Sequence, residues 1–483
     1  MRYLAVLFLI LLLACGQRGS QDKMVFRYNQ QEGIPSLDPA FAKNQAIMWA
    51  VRQLYNTLVE PDSLLNIRPS LAKSWEVSGD RRTYTFHLRN DVFFHDHEVF
   101  PGGKGRRMTA ADVVYSFRRV MEPSTASPGA WIFNDKVDPE KGFRALNDTT
   151  FQLTLLRPFH PVMGILSMQY CSVVPHEAVE RYGKDFRKHP VGTGPFLFHY
   201  WDEGQALILH KNPNYFERDE RGQRLPYLDA VKVSFVDSKG TEFLLFRQGQ
   251  LDFVNDIETS FKDEVLTKQG ELKKEWEGKI SLVKAPYLNT EYFGIVMDPE
   301  KPGVKGSPLQ DIRIRQAINY GFDRTKMMTY LRNSIGIPAT SGFVPAGLPS
   351  FDTAVVKGYH YNIPLARQLL KEAGYPNGKG LPPIRLVSIP IYADLANYVA
   401  HQLQDVGIQV TVEVIQKGTL MDQVAKSAVP FFRASWIADY PDAESYLAMF
   451  YSKNPAPPNY TRYNNPAFDK LYEKALLETN DSL

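Results

Sequence analysis

Apolar and polar positions change their rhythm along the chain, and each change predicts an element. Tyr84, Phe86 and Leu88 alternate with Thr83, Thr85, His87 and Arg89, the two-residue period of a strand with one face buried. Ser78-Gly79-Asp80 supplies a preceding turn, and a similar unit, Phe151 to Leu155, follows Asn147-Asp148. Between these strands the spacing becomes helical. Thr109 is placed to cap a helix with Asp112 three residues on, and Val113, Phe117 and Val120 mark its buried face. The first third therefore predicts an α+β arrangement. Ala206 to His210 and Val231 to Val236 predict two more strands, each bounded by Pro, Asn or Gly.

From about residue 280 the pattern shifts again. Ile384 to Ile389 predicts a strand, Ala393 to Val406 a helix closed by Gly407, and Ile408, Val410, Val412 and Val414 one face of the next strand. This is a βαβ unit, whose length and handedness favour a parallel pair in an α/β lobe. Ahead of it, Pro364 to Ala373 carries proline in its first turn and Gly374 just past its end, the usual punctuation of a helix. No internal repeat, low-complexity tract or long linker interrupts the chain, so tightly joined lobes are expected.

The N-terminal segment follows a different rule. Arg2 is followed by an apolar run from Leu4 to Ala14 that ends at Cys15. Eleven apolar residues are too few for a membrane-spanning helix and fit the hydrophobic region of an export signal. Leu12-Leu13-Ala14-Cys15 resembles the bacterial lipobox, which implies cleavage after residue 14, lipid on Cys15 and a polar tether over 15–23. The alternative is an ordinary secretory peptide with an incidental cysteine. Cys171, the other cysteine, lies in the apolar stretch Met168 to Val174; no disulfide framework is expected, and Cys171 should be a small buried residue.

Length and composition narrow the rest. A chain of 483 residues exceeds one ordinary core and suggests several compact units. With 44% hydrophobic and 23% charged residues, neither a disordered chain nor a multi-span membrane protein is indicated. Lys and Arg number 56 against 53 Asp and Glu, without blocks of one sign, so no nucleic-acid partner is expected. Phosphate-loop, nucleophile-elbow and zinc-helix motifs are absent from the sequence. Gly192-Thr193-Gly194-Pro195 reads as a turn, His176-Glu177 lacks a second histidine one turn on, and His95-Asp96-His97-Glu98 reads as a solvated loop. Neither enzymatic activity nor a metal or other cofactor is expected.

A series of short segments in a fixed order carries a resemblance. They are Ser36-Leu37-Asp38-Pro39, Pro69-Ser70-Leu71-Ala72-Lys73-Ser74-Trp75, Val92-Phe93-Phe94-His95-Asp96 and Met108 to Ser116. Pro190 to Phe196, Asn212-Pro213-Asn214-Tyr215, Asp311 to Ile318 and Trp436-Ile437-Ala438-Asp439-Tyr440 follow. Together they resemble the extracellular family 5 solute-binding proteins of bacterial ABC importers, especially the peptide binders. The resemblance implies a two-lobed periplasmic-binding-protein fold with a hinged cleft. Its first lobe would comprise 24–46 and 187–278, with 47–186 as an inserted subdomain, and its second lobe 279–483. It implies a monomer, lipid-anchored in the cell envelope, that closes on a peptide and delivers it to a permease with its ATPase. Two departures stand out. His97 follows Asp96 where relatives commonly have glycine, with a small insertion from Phe100 to Arg107. The chain also stops at Leu483, where relatives continue through a segment returning to the first lobe, so an incomplete and less stable lobe is expected.

The resemblance also nominates the site. Asp439, just past a predicted strand, matches an aspartate that pairs with the ligand's α-amino group; an Asp-Tyr-Pro-Asp turn or helix cap is the alternative. Arg433 offers positive charge to a ligand carboxylate or to an acidic partner, and Trp436 an amphipathic wall. Three residues apart on a strand, these two face opposite ways unless the strand twists or ends between them. Gly33 and Ile34 match a segment whose backbone pairs with an extended peptide. Trp131 is a weaker candidate, with ordinary core packing as its default. A non-peptide solute such as a nickel chelate or haem, and less so a secreted enzyme, remain as alternatives.

Overall fold

The computed structural model describes residues 23–31, 33–257, 259–301, 303–348 and 351–478; the export segment, Cys15 and most of the tether lie outside them. Three four-stranded sheets and a two-stranded ribbon organise these residues. In the first lobe, Val25–Asn29 lies parallel to Ala230–Ser234, which continues antiparallel through Ala206–Lys211 to Phe196–Asp202. The second sheet is wholly antiparallel, in the order Ala72–Val77, Thr83–Leu88, Thr150–Thr154, Phe143–Asn147. Alternation places Tyr84, Phe86, Leu88, Phe151 and Leu153 inside. The helix Ala110–Met121 covers that face with Val113, Phe117 and Val120, and Thr109 and Asp112 close its first turn as a reciprocal capping box. Phe117 meets Phe151 and Phe143 edge-on, at 5.5 and 5.6 Å between ring centres.

One apolar core runs from Tyr28 through this antiparallel unit to Val233, and the helix Gln45–Leu54 crosses the 46/47 position. Residues 24–46, 47–186 and 187–235 therefore share an interior. Cys171 is fully buried in it, and burial raises its thiol well above the usual range, which keeps it protonated and inert.

Two of the recurring segments are explained by this core. In Ser36-Leu37-Asp38-Pro39, Leu37 is buried, Asp38 accepts the Ala40 amide at 3.0 Å, and Arg119 reaches Asp38 with two bonds of 2.9 and 2.6 Å. Gly192-Thr193-Gly194 presses against the end of the helix Gln45–Leu54. The Gly194 amide donates to Leu54 O at 3.0 Å, and a Cβ on Gly194 would fall 2.6 Å from both Gln53 O and Tyr55 N. Only glycine permits that approach. His95 clamps the same turn: its Nε2–H donates to Gly194 O at 3.0 Å, and Nδ1 accepts the Gly192 amide at 3.4 Å. The expectation of a solvated loop is thus corrected for His95, which is buried and whose imidazole burial holds down to about 4. The solvated reading missed that a neutral imidazole carries a donor and an acceptor on opposite edges, matching two backbone groups. The inserted stretch folds back on the same loop. Phe100 stacks on Phe94 at 6.0 Å, Lys104 bonds Asp96 at 2.7 Å, and Arg106 bridges Asp112 and Glu177.

The sheet of the second lobe runs Asn289–Ile295, Phe431–Ile437, Ile384–Ser388, Val410–Val414. Its last two strands are parallel and are joined by the helix Ala393–Gln404, the βαβ unit read from the sequence. The helix ends two residues early, because Gly407 at φ +102° belongs to a turn rather than to the last helical residue. The strand Asn289–Ile295 was not anticipated. Between Ser234 and Asn289 in the chain, Phe243, Val265 and Leu266 form a small separate core with surrounding aromatics. It is tied to the second lobe by Asn333 Nδ2, which donates to Asp263 Oδ1 at 2.8 Å. The molecule is two-lobed with mixed α/β content. Among the described residues no helix is long and apolar enough to cross a membrane.

Candidate functional site

The strand Phe431–Ile437 carries Arg433 and Trp436 and leads into Asp439. Its register with the neighbouring strand pairs Phe293 with Arg433, Glu291 with Ser435 and Asn289 with Ile437, so these six residues share one face. The strand is unbroken between Arg433 and Trp436, and these two side chains leave it on opposite sides. Arg433 is ion-paired with Glu291, and its guanidinium lies 3.5 Å from the centre of the Tyr392 ring. Trp436 packs instead beside Phe432, Ala434 and Val387, and its indole N–H is buried without a hydrogen-bond partner. Of the two partners anticipated for Arg433, the structure therefore provides the acidic one from within the chain.

One edge of this strand stays open. It meets Ile384–Ser388 only at Phe432, opposite Val387. From Arg433 to Ile437 no strand pairs with the edge away from Asn289–Ile295 among the described residues, so alternate backbone N–H and C=O groups there can receive another extended chain.

Asp439 lies two residues beyond the strand, where the Ser445 hydroxyl accepts its backbone N–H at 3.0 Å. The residue is open to solvent on one side, while protein crowds it on the others. That crowding, followed by repulsion from Glu444, pushes its carboxyl up to about 6. Asp439 lies in the bend over residues 439–442, so its carboxylate is accessible yet poorly solvated. Its neighbours come from both lobes: burial, followed by the charge of Asp439, raises the Tyr170 phenol to about 12. The next residue, Tyr440, enters the first-lobe core and packs on Gly164, where a Cβ would stand 3.2 Å from its own. Glu444 accepts the hydroxyls of Tyr440 and Tyr472. Burial lowers the Lys136 ammonium on the facing subdomain, an effect that Glu444 opposes. The turn after the strand thus joins the lobes.

The first-lobe candidates lie on nearby segments. Gly33 has φ +69°, a left-handed conformation natural to glycine, and its amide donates to Gln30 O at 3.2 Å. Ile34 buries its side chain in the first-lobe core, while its own amide donates to no group among the described residues. Ser127 Oγ donates to Ala40 O at 2.6 Å and accepts the Gly129 amide at 3.0 Å, tying the Trp131 turn to the stretch that follows Ile34. Trp131 departs from the core packing taken as its default: it is 39% exposed. Lys136 Nζ donates to its carbonyl at 3.0 Å. A cavity of about 390 Å³ opens beside the Asp439 turn, between Tyr84, His160, Met163 and Gly164 of the subdomain and Pro441 and Asp442.

Sequence reasoning missed Glu291, Tyr392, Tyr170 and Glu444. Glu291 belongs to the unanticipated strand, Tyr392 and Tyr170 reach the site through contacts distant in sequence, and Glu444 lies in the short helix that follows the Asp439 bend. The available signal was the apolar alternation Tyr292, Gly294 and Val296 against Glu291, weakened by the glycine.

Comparison with known proteins agrees with this architecture. The profile of the bacterial extracellular solute-binding proteins, family 5 Middle, matches residues 66–458. Heme-binding protein A of Haemophilus influenzae is 28% identical over 448 residues, covering 89% of this chain and 77% of the relative. The periplasmic oligopeptide-binding protein OppA of Salmonella typhimurium is 27% identical over 482 residues, covering 95% and 83%. The solved structure of DppA from Helicobacter pylori, in complex with the peptide STSA, superposes with a TM-score of 0.74 at 26% identity, covering 96% and 88%. The chain belongs to the bacterial extracellular solute-binding proteins of family 5, which serve ABC importers as substrate-binding proteins and are not enzymes.

Proposed function

We propose that this protein captures peptides, with Asp439 pairing with the ligand's α-ammonium while the open edge of Phe431–Ile437 and the Gly33-Ile34 backbone pair with its main chain. The observation that carries this reading is Asp439 itself, a carboxylate crowded by protein at the junction of the lobes. Such a group is relieved by a cation that also donates hydrogen bonds. Main-chain pairing adds affinity that does not depend on side-chain identity, and Trp436 and Trp131 supply aromatic walls on the two lobes. The relatives named for oligopeptide binding and solved with a bound peptide support this choice. A haem, as named for another relative, would leave Asp439 without a partner. In this reading the lobes are 24–278 and 279–483, and Cys15 carries the lipid that holds the protein beside its permease.

Native mass spectrometry of protein freshly extracted from membranes tests both parts. The expected result is a polypeptide beginning at a lipidated Cys15, with dissociable masses that match peptides. Non-peptide ligand masses would remove the peptide assignment, and an unmodified N-terminus would remove the anchor.

A further inference from the structure

Arg433 shares a strand face with Glu291 and Phe293, and its charge is already engaged. Its guanidinium pairs with Glu291, retains 11% side-chain exposure and rests on the Tyr392 ring. Glu291 is held from two more directions, accepting the Tyr392 hydroxyl at 3.2 Å and the Asn289 amide at 2.9 Å. Arg332, 6.0 Å from the same ring, is paired with Asp394. The cluster is therefore electrically neutral as it stands.

Two atoms around Glu291 are left over. Arg433 Nε and Asn289 Oδ1 are both buried without a hydrogen-bond partner, and leaving such atoms unpaired is costly. One is a donor and the other an acceptor. A carboxylate could satisfy the first but not the second, and it would meet the negative charge of Glu291. A peptide group offers an acceptor and a donor together and carries no charge.

We infer that Glu291, Arg433 and Asn289 form a charge-neutral clamp that receives an uncharged peptide group and selects against a ligand carboxylate at this position. The peptide C=O accepts from Arg433 Nε–H, and the peptide N–H donates to Asn289 Oδ1. Glu291 is then a specificity-determining residue, because it cancels the cation that would otherwise capture a C-terminus. The inference rests on the peptide reading and extends it: the ligand's carboxyl end is not fixed at Arg433, and a blocked C-terminus is tolerated.

Titration calorimetry with matched peptides of two to five residues, as free acids and as C-terminal amides, tests it. The original protein should bind the two forms within about threefold at every length. Glu291→Gln, which uncovers the guanidinium, should favour the free acid by about tenfold or more at the length whose end reaches Arg433. A loss of tenfold or more on amidation in the original protein overturns the clamp, as does a Glu291→Gln variant without any new preference. If no peptide binds either protein, the peptide reading fails, and thermal unfolding judges the clamp separately. Glu291→Gln and Arg433→Gln should then lower Tm by a sum larger than the loss in the double variant, whereas additive losses overturn the pairing.

Discussion

Asp439→Asn is expected to weaken binding of a free-amine peptide by two to three orders of magnitude, while the fold survives. Closure around the ligand removes Asp439 and the ammonium from water together, and deleting one partner of a buried pair costs about 3–5 kcal/mol. Asn keeps the size and hydrogen-bonding ability of the residue, so unfolding should shift little. An N-acetylated peptide should bind the original protein poorly, and the substitution should then add little further loss. Calorimetry over the two proteins and two peptides isolates the coupling. The pH dependence has a definite sign. Burial, followed by Glu444, raises the carboxyl to about 6, and a bound ammonium favours its ionised form and lowers it. Binding near and below that pH therefore releases a proton, and affinity falls as pH drops through about 6. Equal losses for free and acetylated peptides would show that Asp439 does not read the amine.

The largest expected effect on stability is at Asp38. Its side chain is 4% exposed and that of Arg119 is 12% exposed, and the pair joins the segment after Gly33-Ile34 to the helix Ala110–Met121. Asp38→Ala leaves the guanidinium buried over Phe186 without its counter-charge and should destabilise the protein by about 3–5 kcal/mol. Replacing both partners, Asp38→Leu with Arg119→Met, should restore most of that loss, since the cost lies in the orphaned charge more than in the missing attraction. Urea unfolding of the original protein and the two variants decides this. A loss below about 1 kcal/mol for Asp38→Ala would mean that water reaches Arg119.

These two sites also show what the sequence could reveal. The strand at Thr83–Leu88, the capped helix after Thr109 and the βαβ unit were legible because a local period or cap determines each of them. The opposed directions of Arg433 and Trp436 were legible for the same reason, since alternation along a strand is local. What escaped depends on partners far away in the chain. His95 lies in a polar string, yet it is buried because Gly192 and Gly194 bring two backbone groups to its ring. Glu291 meets Arg433 across 142 residues, and no periodicity of either strand announces the pair. Trp131 has the chemistry of a core residue yet is 39% exposed, which no local pattern in its turn announces. The strand Asn289–Ile295 was hidden by Gly294, which weakens its alternation and instead admits the Phe432 ring.

The central claim is that the two lobes close on a peptide whose amine meets Asp439, since only the closed form makes contacts from both sides. Small-angle scattering on ligand-free protein, before and after saturation, tests it most directly. A free-amine peptide should reduce the radius of gyration, and its N-acetylated counterpart at the same concentration should not. A radius unchanged under saturating free-amine peptide would contradict capture by closure.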